Sequence, residues 1–493
     1  MHRSRHRSTV PSRRVRALNA HPLRDGARYV LYWMVAQRRL GWNFALDRAL
    51  DVARARALPL VIFEPLRAGY RWAAVRHHRF VVEGMAEHAA SLAGTPVTYV
   101  PWIEPEPGAG RGLLEWLARD AALVVTDDYP AFFLPSMLER AGDALDVRLE
   151  AVDSNGLLPL RAAPQAFATA FALRRHLQTV LPEHLADRPE AVPDLADLPR
   201  LPVPLELPER WASATAELLR TPAAVDRLPI DARVGAIPSR GGTDAARARL
   251  AAFLAGELDR YPEDRRHPDR GGSSGLSPWL HWGHLSAHEV FAAVAEREGW
   301  TPLRLSDRRS GARQGWWGMS EAAEGFLDEL VTWRELGFNT CAHLPGYDRW
   351  ESLPEWARGT LETHAADPRP HVYSLEAFEA AETHDPLWNA AQRQLRAEGR
   401  IHNYLRMLWG KKVLEWSPDP RTALTWLIEL NNRWAIDGRD PNSWSGIFWT
   451  FGRYDRGWPE RPIFGTIRSM TSASTRRKVE VDDYLLRFGG GGA

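Results

Sequence analysis

Cysteine is almost absent from this sequence, and long apolar runs are missing altogether. One cysteine in 493 residues excludes an internal disulfide, a thiolate zinc site and an iron–sulfur cluster. No stretch reaches the roughly 18 uninterrupted apolar residues that a membrane-spanning helix needs. We therefore expect a protein of a reducing compartment, the cytoplasm, with no membrane anchor and no metal site.

Lysine is also scarce, so the basic charge is carried almost entirely by arginine. Of 63 basic residues only three are lysines, Lys411, Lys412 and Lys478. The net charge of +1 conceals two basic segments: residues 1–28, with eight Arg against one Asp, and residues 453–478, with seven basic against two acidic residues. Local patches attract a polyanion, whatever the total charge. We predict that residues 1–25 are a disordered basic arm, a mitochondrial-type presequence being the alternative.

Short β-rich runs recur through the first third of the chain. Each has four to six residues, with room for a helix before the next, at residues 29–34, 59–63, 97–100, 123–126 and 147–152. This rhythm predicts a parallel, Rossmann-like sheet with crossover helices, and hence an α/β domain over residues 26–175.

From residue 243 onward the pattern is helical. Thr243 can cap a first helix, and further helices are predicted at 286–297, 320–338, 386–398, 400–415, 420–434 and 442–452. Residues 176–242 are rich in Pro and Asp without lasting periodicity, which indicates an interdomain connection. The predicted fold is therefore an α/β domain followed by an all-α domain over residues 243–488.

Tryptophan is abundant, with 22 residues, of which 16 lie at or after Trp279. Trp409 and Trp416 are seven residues apart on one predicted helix and share a face, and Trp388 lies on the helix before. This spacing fits ordinary core packing. The alternative is a row of indoles that passes single electrons between a buried cofactor and the surface, and the spacing alone does not decide between the two.

Two other groups bring chemistry-bearing side chains together. Glu329 and Trp333 are four residues apart on a predicted helix, either as a solvated carboxylate beside a packed indole or as an acceptor beside a stacking surface for a base. Residues 273–277 precede a helix and offer hydroxyls and N–H groups to a phosphate, or form a plain capped loop. Near the C-terminus tryptophans interleave with arginines, which suits phosphate contacts combined with base stacking.

Four stretches have a specific order and spacing: THDPLWN at 383–389, MLWGKKVLEW at 407–416, DGRDPN at 437–442 and RPIFGTIRSM at 461–470. In these the chain resembles the class II cyclobutane pyrimidine dimer photolyases of the photolyase/cryptochrome family, from about Arg16 to Phe488. The resemblance implies a lyase that repairs pyrimidine dimers in UV-damaged DNA with light. Reduced FAD passes one electron to the flipped-out dimer, the cyclobutane ring splits, and the electron returns. It also implies that the protein acts as a monomer.

The resemblance further assigns individual residues. FAD binding is assigned to Tyr261, Arg265, Ser273, Ser274, Gly275, Leu276, Ser277, Tyr404, Arg406, Asn431 and Asp437, with Asn431 facing flavin N5. The electron-transfer triad is assigned to Trp388, Trp409 and Trp416, with Trp409 nearest the flavin. Substrate contacts are assigned to Glu329, which bonds the dimer bases, to Trp333, Trp449 and Met407, which line the dimer, and to Arg456 and Trp458, which fill the gap left in the duplex.

Two positions depart from the pattern of that branch. Val35-Ala-Gln-Arg-Arg39 stands where the branch usually has Ser-Arg-Asp-Gln-Arg, and Asn403 stands in place of a usual Gly. The sequence leaves open whether a second, deazaflavin-type antenna chromophore binds.

The alternative function is a non-repair, cryptochrome-like blue-light photoreceptor, and repair of the (6–4) photoproduct is a third. Retention of the residues assigned to the dimer favours dimer repair.

Overall fold

The computed structural model describes residues 9–490, which form two compact units. The first unit comprises the chain up to Pro164, Val180–Ala248 and Leu276–Ala293, and the second comprises Gln165–Thr179, Arg249–Gly275 and the chain from Val294 onward. The predicted boundaries differ in three places. Residues 165–175, predicted to belong to the α/β domain, lie in the second unit. Residues 180–248, which cover most of the predicted connection and the start of the predicted helical domain, and residues 276–293, within that domain, belong to the first unit.

The strands are β1 (Val15–Ala17), β2 (Tyr29–Trp33), β3 (Leu60–Leu66), β4 (Thr98–Ile103), β5 (Ala121–Asp127) and β6 (Leu149–Val152). The α-helices are α1 (Phe44–Arg56), α2 (Val75–Leu92), α3 (Leu113–Ala118), α4 (Leu134–Ala144), α5 (Ala170–Val180), α6 (Thr215–Arg220), α7 (Thr243–Ala252), α8 (Tyr261–Asp264), α9 (Ser277–Trp282), α10 (Ala287–Arg297), α11 (Glu321–Leu327), α12 (Arg334–His343), α13 (Glu355–Thr363), α14 (Leu375–Ala380), α15 (Pro386–Glu398), α16 (Asn403–Trp416), α17 (Pro420–Trp434), α18 (Pro441–Thr450), α19 (Ser472–Lys478) and α20 (Asp482–Phe488).

A six-stranded sheet organises the described part of the first unit, in the order β1-β6-β5-β2-β3-β4. Strands β2 to β6 are parallel, and β1 pairs antiparallel at the edge. Both faces are covered, since Val30 and Tyr32 enter one apolar cluster while Leu31 and Trp33 enter the other. A strand buried on both faces needs a continuous apolar run. The five strands predicted from such runs, and the α/β class of this unit, are confirmed.

The predicted disordered arm over residues 1–25 is wrong for its described part, and residues 1–8 lie outside the described residues. Ser12–Arg14 form a 3-10 turn, and β1 then adds to the sheet edge. Arg14 is fully buried, 3.8 Å from the Asp153 carboxylate, and donates to the Leu157 carbonyl at 2.7 Å. An arginine-rich run suggests solvation, but here a carboxylate and carbonyls satisfy the guanidinium.

One buried carboxylate fixes the loop after β2. Asp127, the last residue of β5, accepts from the backbone N–H groups of Val35, Ala36 and Gln37 at 2.7–2.9 Å. Its second oxygen accepts from the Tyr32 hydroxyl at 2.7 Å. The loop is thus held through its backbone atoms, and the buried side chain of Arg38 adds an ion pair with Glu64 at 2.9 Å.

Asp-Pro dipeptides start three helices of the second unit. Asp385, Asp419 and Asp440 each accept from the first N–H groups of α15, α17 and α18, and a proline follows each of them. A proline at the first helical position loses no hydrogen bond, because that N–H would have no helical partner. The predicted helices 386–398 and 420–434 are confirmed as α15 and α17, and the prediction 442–452 matches α18 within two residues at each end.

Two helical predictions differ in detail. The predicted helix 320–338 is α11 and α12 joined by a π-helical segment, Asp328–Trp333. Helix α7 begins at Thr243, whose hydroxyl, predicted as a cap, donates to the His284 carbonyl at 3.1 Å. Among the described residues after 243 the only β pairing is an isolated bridge between Arg461 and Gly465. None of the helices between residues 9 and 490 has the length and apolarity that a membrane crossing requires.

Replacing Asp127→Ala should destabilise the first unit. Three backbone donors would lose a charged acceptor at once, and we expect a loss of about 3 kcal/mol or more. The measurement is the urea midpoint followed by circular dichroism. Asp146→Ala is the control, because Asp146 pairs with Arg24 while its own side chain is 79% exposed. Equal midpoints for the two variants would contradict the role of Asp127.

Candidate functional site

Three tryptophans of the second unit form a continuous row of rings. The Trp388 indole lies 6.4 Å from that of Trp409, with an interplanar angle of 6°, and 6.2 Å from that of Trp416. All three are at most 2% exposed. Trp388 Nε1 donates to the Trp409 carbonyl at 3.0 Å, which fixes the middle ring. The order in space is Trp409, Trp388, Trp416, with the ring from α15 between two rings from α16.

A tyrosine extends this row beyond Trp416. The Tyr373 ring lies 5.8 Å from the Trp416 ring, and its hydroxyl is 2.7 Å from His384 Nδ1. Tyr373 is partly exposed, whereas Trp409 at the other end is buried and donates to Gln392 at 3.0 Å. Sequence reasoning missed Tyr373, because it lies in a loop and no periodic spacing connects it to the tryptophans.

An arginine and a carboxylate meet beside the π-helical segment. Arg265 Nη1 donates to Glu329 Oε1 at 2.6 Å, and the Arg265 guanidinium lies 5.4 Å from the centroid of the Tyr261 ring. Burial raises the pKa of the Glu329 carboxyl above its ordinary value, and Arg265 opposes that rise. The Glu329 side chain remains one-third exposed. The Glu329 carboxylate therefore accepts a hydrogen bond from Arg265 and is still accessible to a second donor.

The π-helical segment Asp328–Trp333 carries both members of the predicted carboxylate–indole pair. Such segments are rare and frequently occur at functional sites. Asp328, next to Glu329, is anchored by Arg174, whose guanidinium donates to the two carboxylate oxygens at 2.7 and 3.1 Å. Trp333, at the end of the segment, is partly exposed. Glu329 and Trp333 thus lie on a π-helical turn that Arg174 anchors through Asp328, whereas the sequence predicts a regular helix there.

Buried amides cluster at the end of α17. Asn431 Nδ2 donates to Asn432 Oδ1 at 3.1 Å, and the same oxygen accepts from the Arg439 backbone N–H at 2.9 Å. Asn432 Nδ2 is buried and has no partner within residues 9–490. Asp437 follows and pairs with Arg406 of α16 at 3.3 Å. Sequence reasoning selected Asn431 and missed Asn432, which positions it.

Two arginines flank the turn before α9. Arg249 donates to the Ser274 carbonyl at 2.7 Å and to the Ser273 carbonyl at 3.1 Å. Gly275 has φ +66°, and a Cβ there would lie 3.3 Å from nitrogen atoms of Arg249 and Arg400. Arg249 also pairs with Glu257 and Arg400 with Glu398, so this glycine keeps the backbone close to two guanidinium groups that carboxylates already match.

The remaining residues assigned to a cofactor lie on either side of this turn and on α16. Leu276 is buried and Ser277 is exposed, and both belong to the first unit. Tyr404 is partly buried near the start of α16. His402, two residues earlier, has both ring nitrogens buried without a partner among the described residues. Burial lowers the pKa of His402 to about 4, so the ring is neutral at pH 7 and offers one donor and one acceptor.

Cations and indoles alternate through the C-terminal basic segment. Lys411 Nζ lies 4.7 Å from the ring centroid of Trp449, and the Arg468 guanidinium lies 5.9 Å from the same ring. Arg468 is also 4.9 Å from the Trp458 ring, over which Arg456 lies at 5.6 Å. The predicted interleaving of arginine and tryptophan therefore exists in space. It is completed by Lys411 and Arg468, which sequence reasoning did not select.

The other arginines of that segment have different surroundings. Arg453 is 4% exposed, donates to the Ser352 side chain at 2.5 Å and lies 3.9 Å over the Phe448 ring. Arg461 is exposed and belongs to the isolated bridge. Met407 is partly exposed on α16, one turn before Lys411.

Lys411 is a buried cation beneath Trp449. Its side chain is fully buried, and its Nζ donates to the Thr450 carbonyl at 2.6 Å. Burial lowers the pKa of Lys411 to about 7; Asp455 raises that pKa and Arg468 lowers it further. Helices α16 and α18 touch here, since a Cβ at Gly410 would lie 2.6 Å from Thr450 Oγ1.

The chain is similar to several proteins whose names describe the same activity. It is 34% identical to the deoxyribodipyrimidine photo-lyase of Methanothermobacter thermautotrophicus, over 98% of this chain and 99% of that protein. It is 32% identical to the enzyme of the same name from Potorous tridactylus, over 94% of this chain and 81% of the relative. Its fold is similar to that of a bacterial class III photolyase from Agrobacterium tumefaciens, with a TM-score of 0.68 at 18% identity, covering 94% and 86% of the two chains. No protein-family model matches the chain.

The Lys411 ammonium should titrate near pH 7. The protein has only three lysines, so selective ¹³C labelling gives a spectrum in which a single Cε signal can be followed. We expect one signal to shift with a midpoint of about pH 7 and to vanish in Lys411→Met. Because the unfolded chain binds this proton more tightly, its contribution to stability should rise with pH above the folded-state pKa and level off near the ordinary value of 10.5.

Lys412→Met is the matched control for that titration. Lys412 is the next residue on α16 and pairs with Glu415 at 2.5 Å, away from Trp449. The variant should retain the signal with its midpoint near pH 7. A spectrum in which the signal lost from Lys411→Met titrates above pH 9 would contradict the burial of this ammonium.

Proposed function

Because this chain belongs to the photolyase/cryptochrome family, we propose that the residues described above carry out its reaction in the helical unit. The protein is a deoxyribodipyrimidine photo-lyase, which repairs cyclobutane pyrimidine dimers in DNA with light. We assign it to the class II branch on the four sequence stretches quoted above. The substrate is UV-damaged DNA, and we propose that a monomer acts on it in the cytoplasm.

The residues of the helical unit fit FAD. The buried nitrogen atoms of His402 and Asn432, which have no partner among the described residues, would find hydrogen-bond partners on a bound cofactor. We propose that the cofactor is held by Tyr261, Arg265, Ser273, Ser274, Gly275, Tyr404, Arg406, Asn431 and Asp437. When bound, reduced FAD supplies the light-excited electron that splits the dimer.

The observation that carries the assignment of the lesion pocket is the Arg265–Glu329 pair on the π-helical segment. Glu329 has one carboxylate oxygen bonded to Arg265 and remains partly accessible, so it can accept from, or share a proton with, the polar edge of a flipped-out base. Trp333 ends the same segment. Together with Trp449 it supplies stacking surfaces, each of which contributes roughly 1–3 kcal/mol to binding a base.

The remaining residues have roles set by their surroundings. The row Trp409, Trp388, Trp416 would carry single electrons inward from the surface of the unit, because its indoles are nearly in contact and shielded from water. Arg456 and Trp458, stacked on each other, would enter the gap left in the duplex. Met407 would contact the dimer from α16.

The second candidate function, a cryptochrome-like photoreceptor without repair activity, would use the tryptophan row alone. The Arg265–Glu329 pair and the cation–indole row at Trp449 favour repair, because signalling from a flavin does not require a base-binding acceptor. Repair of the (6–4) photoproduct is tested in the same assay as a second lesion.

The decisive experiment illuminates photoreduced protein with DNA that contains a single cyclobutane dimer. The wild type should restore the thymines under blue light, and its absorption spectrum shows the flavin and any deazaflavin-type antenna. Glu329→Ala should lower the repair yield about tenfold at unchanged flavin content, since a charge-assisted hydrogen bond is worth about 1.5 kcal/mol. Glu329→Gln should recover part of that loss.

Glu321→Ala is the matched control, because this exposed carboxylate on α11 contacts Gln314 at 3.2 Å, away from Arg265. It should repair at the wild-type yield. Unchanged dimers under blue light with the wild type would refute repair, and preferential repair of the (6–4) photoproduct would redirect the assignment.

Trp388→Phe should stop light-driven reduction of the flavin and spare repair. A phenyl ring is much harder to oxidise than an indole, and Trp388 is the middle member of the row. The measurement is flavin absorbance under illumination with an external donor, then repair by chemically reduced enzyme. Trp426→Phe, an indole that packs on Phe378 outside the row, is the control and should reduce normally. Parallel loss of both activities in Trp388→Phe would contradict the electron-transfer role.

A further inference from the structure

A loop of the second unit that none of the assigned residues occupies presents several arginines. It runs over residues 305–318, between the 3-10 turn Pro302–Arg304 and α11. The sequence, LSDRRSGARQGWWG, combines Arg308, Arg309 and Arg313 with small residues and two tryptophans. Trp316 and Trp317 are buried, while the three arginines are exposed. The two buried tryptophans thus anchor the loop, and its three arginines are exposed to solvent.

A buried carboxylate holds the C-terminal part of this loop. Glu324, 2% exposed on α11, accepts from the backbone N–H groups of Gly318 at 2.8 Å and Met319 at 3.3 Å, and also from that of Gly315. Trp300 Nε1 donates to the Trp317 carbonyl at 2.6 Å. A loop rich in glycine would otherwise be free to move, and these contacts make it a fixed support.

Helix α5 holds the middle of the loop. Gln178 accepts from the Gly311 N–H at 2.7 Å and donates to the Ala312 carbonyl at 3.0 Å. Arg174 donates to the Gly311 carbonyl at 3.2 Å while its guanidinium is bonded to Asp328 of the π-helical segment. The loop is therefore tied directly to the segment that carries Glu329 and Trp333.

A cavity of about 810 Å³ lies between the loop and that segment. Its lining includes Arg174, Arg308, Arg313, Ser310, Trp316 and Trp333. Trp333 is the indole assigned to the dimer, so the cavity adjoins the proposed lesion pocket. Guanidinium groups, a hydroxyl and indole faces are the groups that bind a nucleic-acid backbone.

The arginines of the loop and cavity outnumber the carboxylates paired with them. Asp328 is matched by Arg174, and it lies 3.9 Å from Arg313, whose side chain is 65% exposed. Arg308 and Arg309 form no ion pair with any residue between 9 and 490, and Asp307 is the one acidic residue of the loop sequence. Because Arg174 and Arg313 share one carboxylate and Arg308 and Arg309 have none among the described residues, the loop keeps an excess of positive charge, which is complementary to phosphodiesters.

We propose that this cavity binds the phosphodiester backbone of the damaged DNA strand beside the flipped-out dimer, with Arg308 and Arg313 as phosphate ligands. The proposal rests on the proposed repair function, because Trp333 joins the cavity to the lesion pocket. Phosphate contacts fix the register of a protein on DNA without reading sequence. The loop then holds the strand while Trp333 meets the extruded base.

The test is the salt dependence of DNA binding by Arg308→Ala/Arg313→Ala. Affinity for a duplex with one dimer is measured by fluorescence anisotropy at several salt concentrations. Each lost phosphate contact lowers the slope of log affinity against log salt by about 0.9, so the double variant should lose about 1.8. Arg308→Lys/Arg313→Lys, which keeps the charges, should retain most of the slope. Circular dichroism establishes that both variants are folded.

Arg227→Ala/Arg233→Ala is the control, because these arginines are 72% and 79% exposed and pair with Glu217 and Asp231, outside the cavity. This variant should keep the wild-type slope. An unchanged slope in the 308/313 variant, with a wild type that repairs dimers, would overturn the cavity proposal alone. A wild type that binds the duplex but leaves dimers intact under blue light would instead overturn the repair function.

Discussion

Charged groups removed from water hold the loops of both units in place, because each must find donors or acceptors within the protein. Asp127 gathers three backbone N–H groups after β2, and Glu324 gathers those of the 305–318 loop. Arg14 donates to backbone carbonyls at the sheet edge, and Arg174 donates to the Asp328 carboxylate of the π-helical segment. An unmatched buried charge is so costly that these contacts leave each loop essentially one arrangement. The regular elements give the architecture, and these groups fix the irregular parts where function lies.

The candidate site contains several places where this matching is incomplete among the described residues. His402 and Asn432 keep buried nitrogen atoms without partners, and Lys411 is buried with a single carbonyl as acceptor. The 305–318 loop adds Arg308 and Arg309, which form no ion pair within residues 9–490. Polar groups left in such states favour ligands that complete them, which is the physical reason that a cofactor and a nucleic acid suit this unit.

The sequence predicted the parts of the fold in which one local signal dominates. Continuous apolar runs located five strands, and the predicted starts of α15 and α17 coincide with Asp-Pro dipeptides that the structure shows to be caps. Strand β1 was missed because its arginines suggest a solvated arm, and only the tertiary partners of Arg14 reveal its burial. The unit boundaries were missed for a similar reason, since residues 180–248 have weak periodicity and gain their place by packing.

The site shows the same division. Residues within continuous motifs, such as Trp388 and Glu329, were selected from the sequence, whereas Tyr373, Asn432 and Arg468 became apparent from their neighbours in space. Lys411 had a usable signal, a lysine in a chain whose basic residues are almost all arginine, but composition gives no indication of what lies above it.

The middle indole of the tryptophan row belongs to α15, and its two neighbours belong to α16. An electron that travels the row must therefore cross twice between two consecutive helices of the chain. The path does not exist in either helix alone and is completed only when they dock. In the proposed electron transfer, the rate of photoreduction is therefore also a measure of tertiary packing, and the absorbance change of the proposed flavin would report whether the two helices have docked during folding.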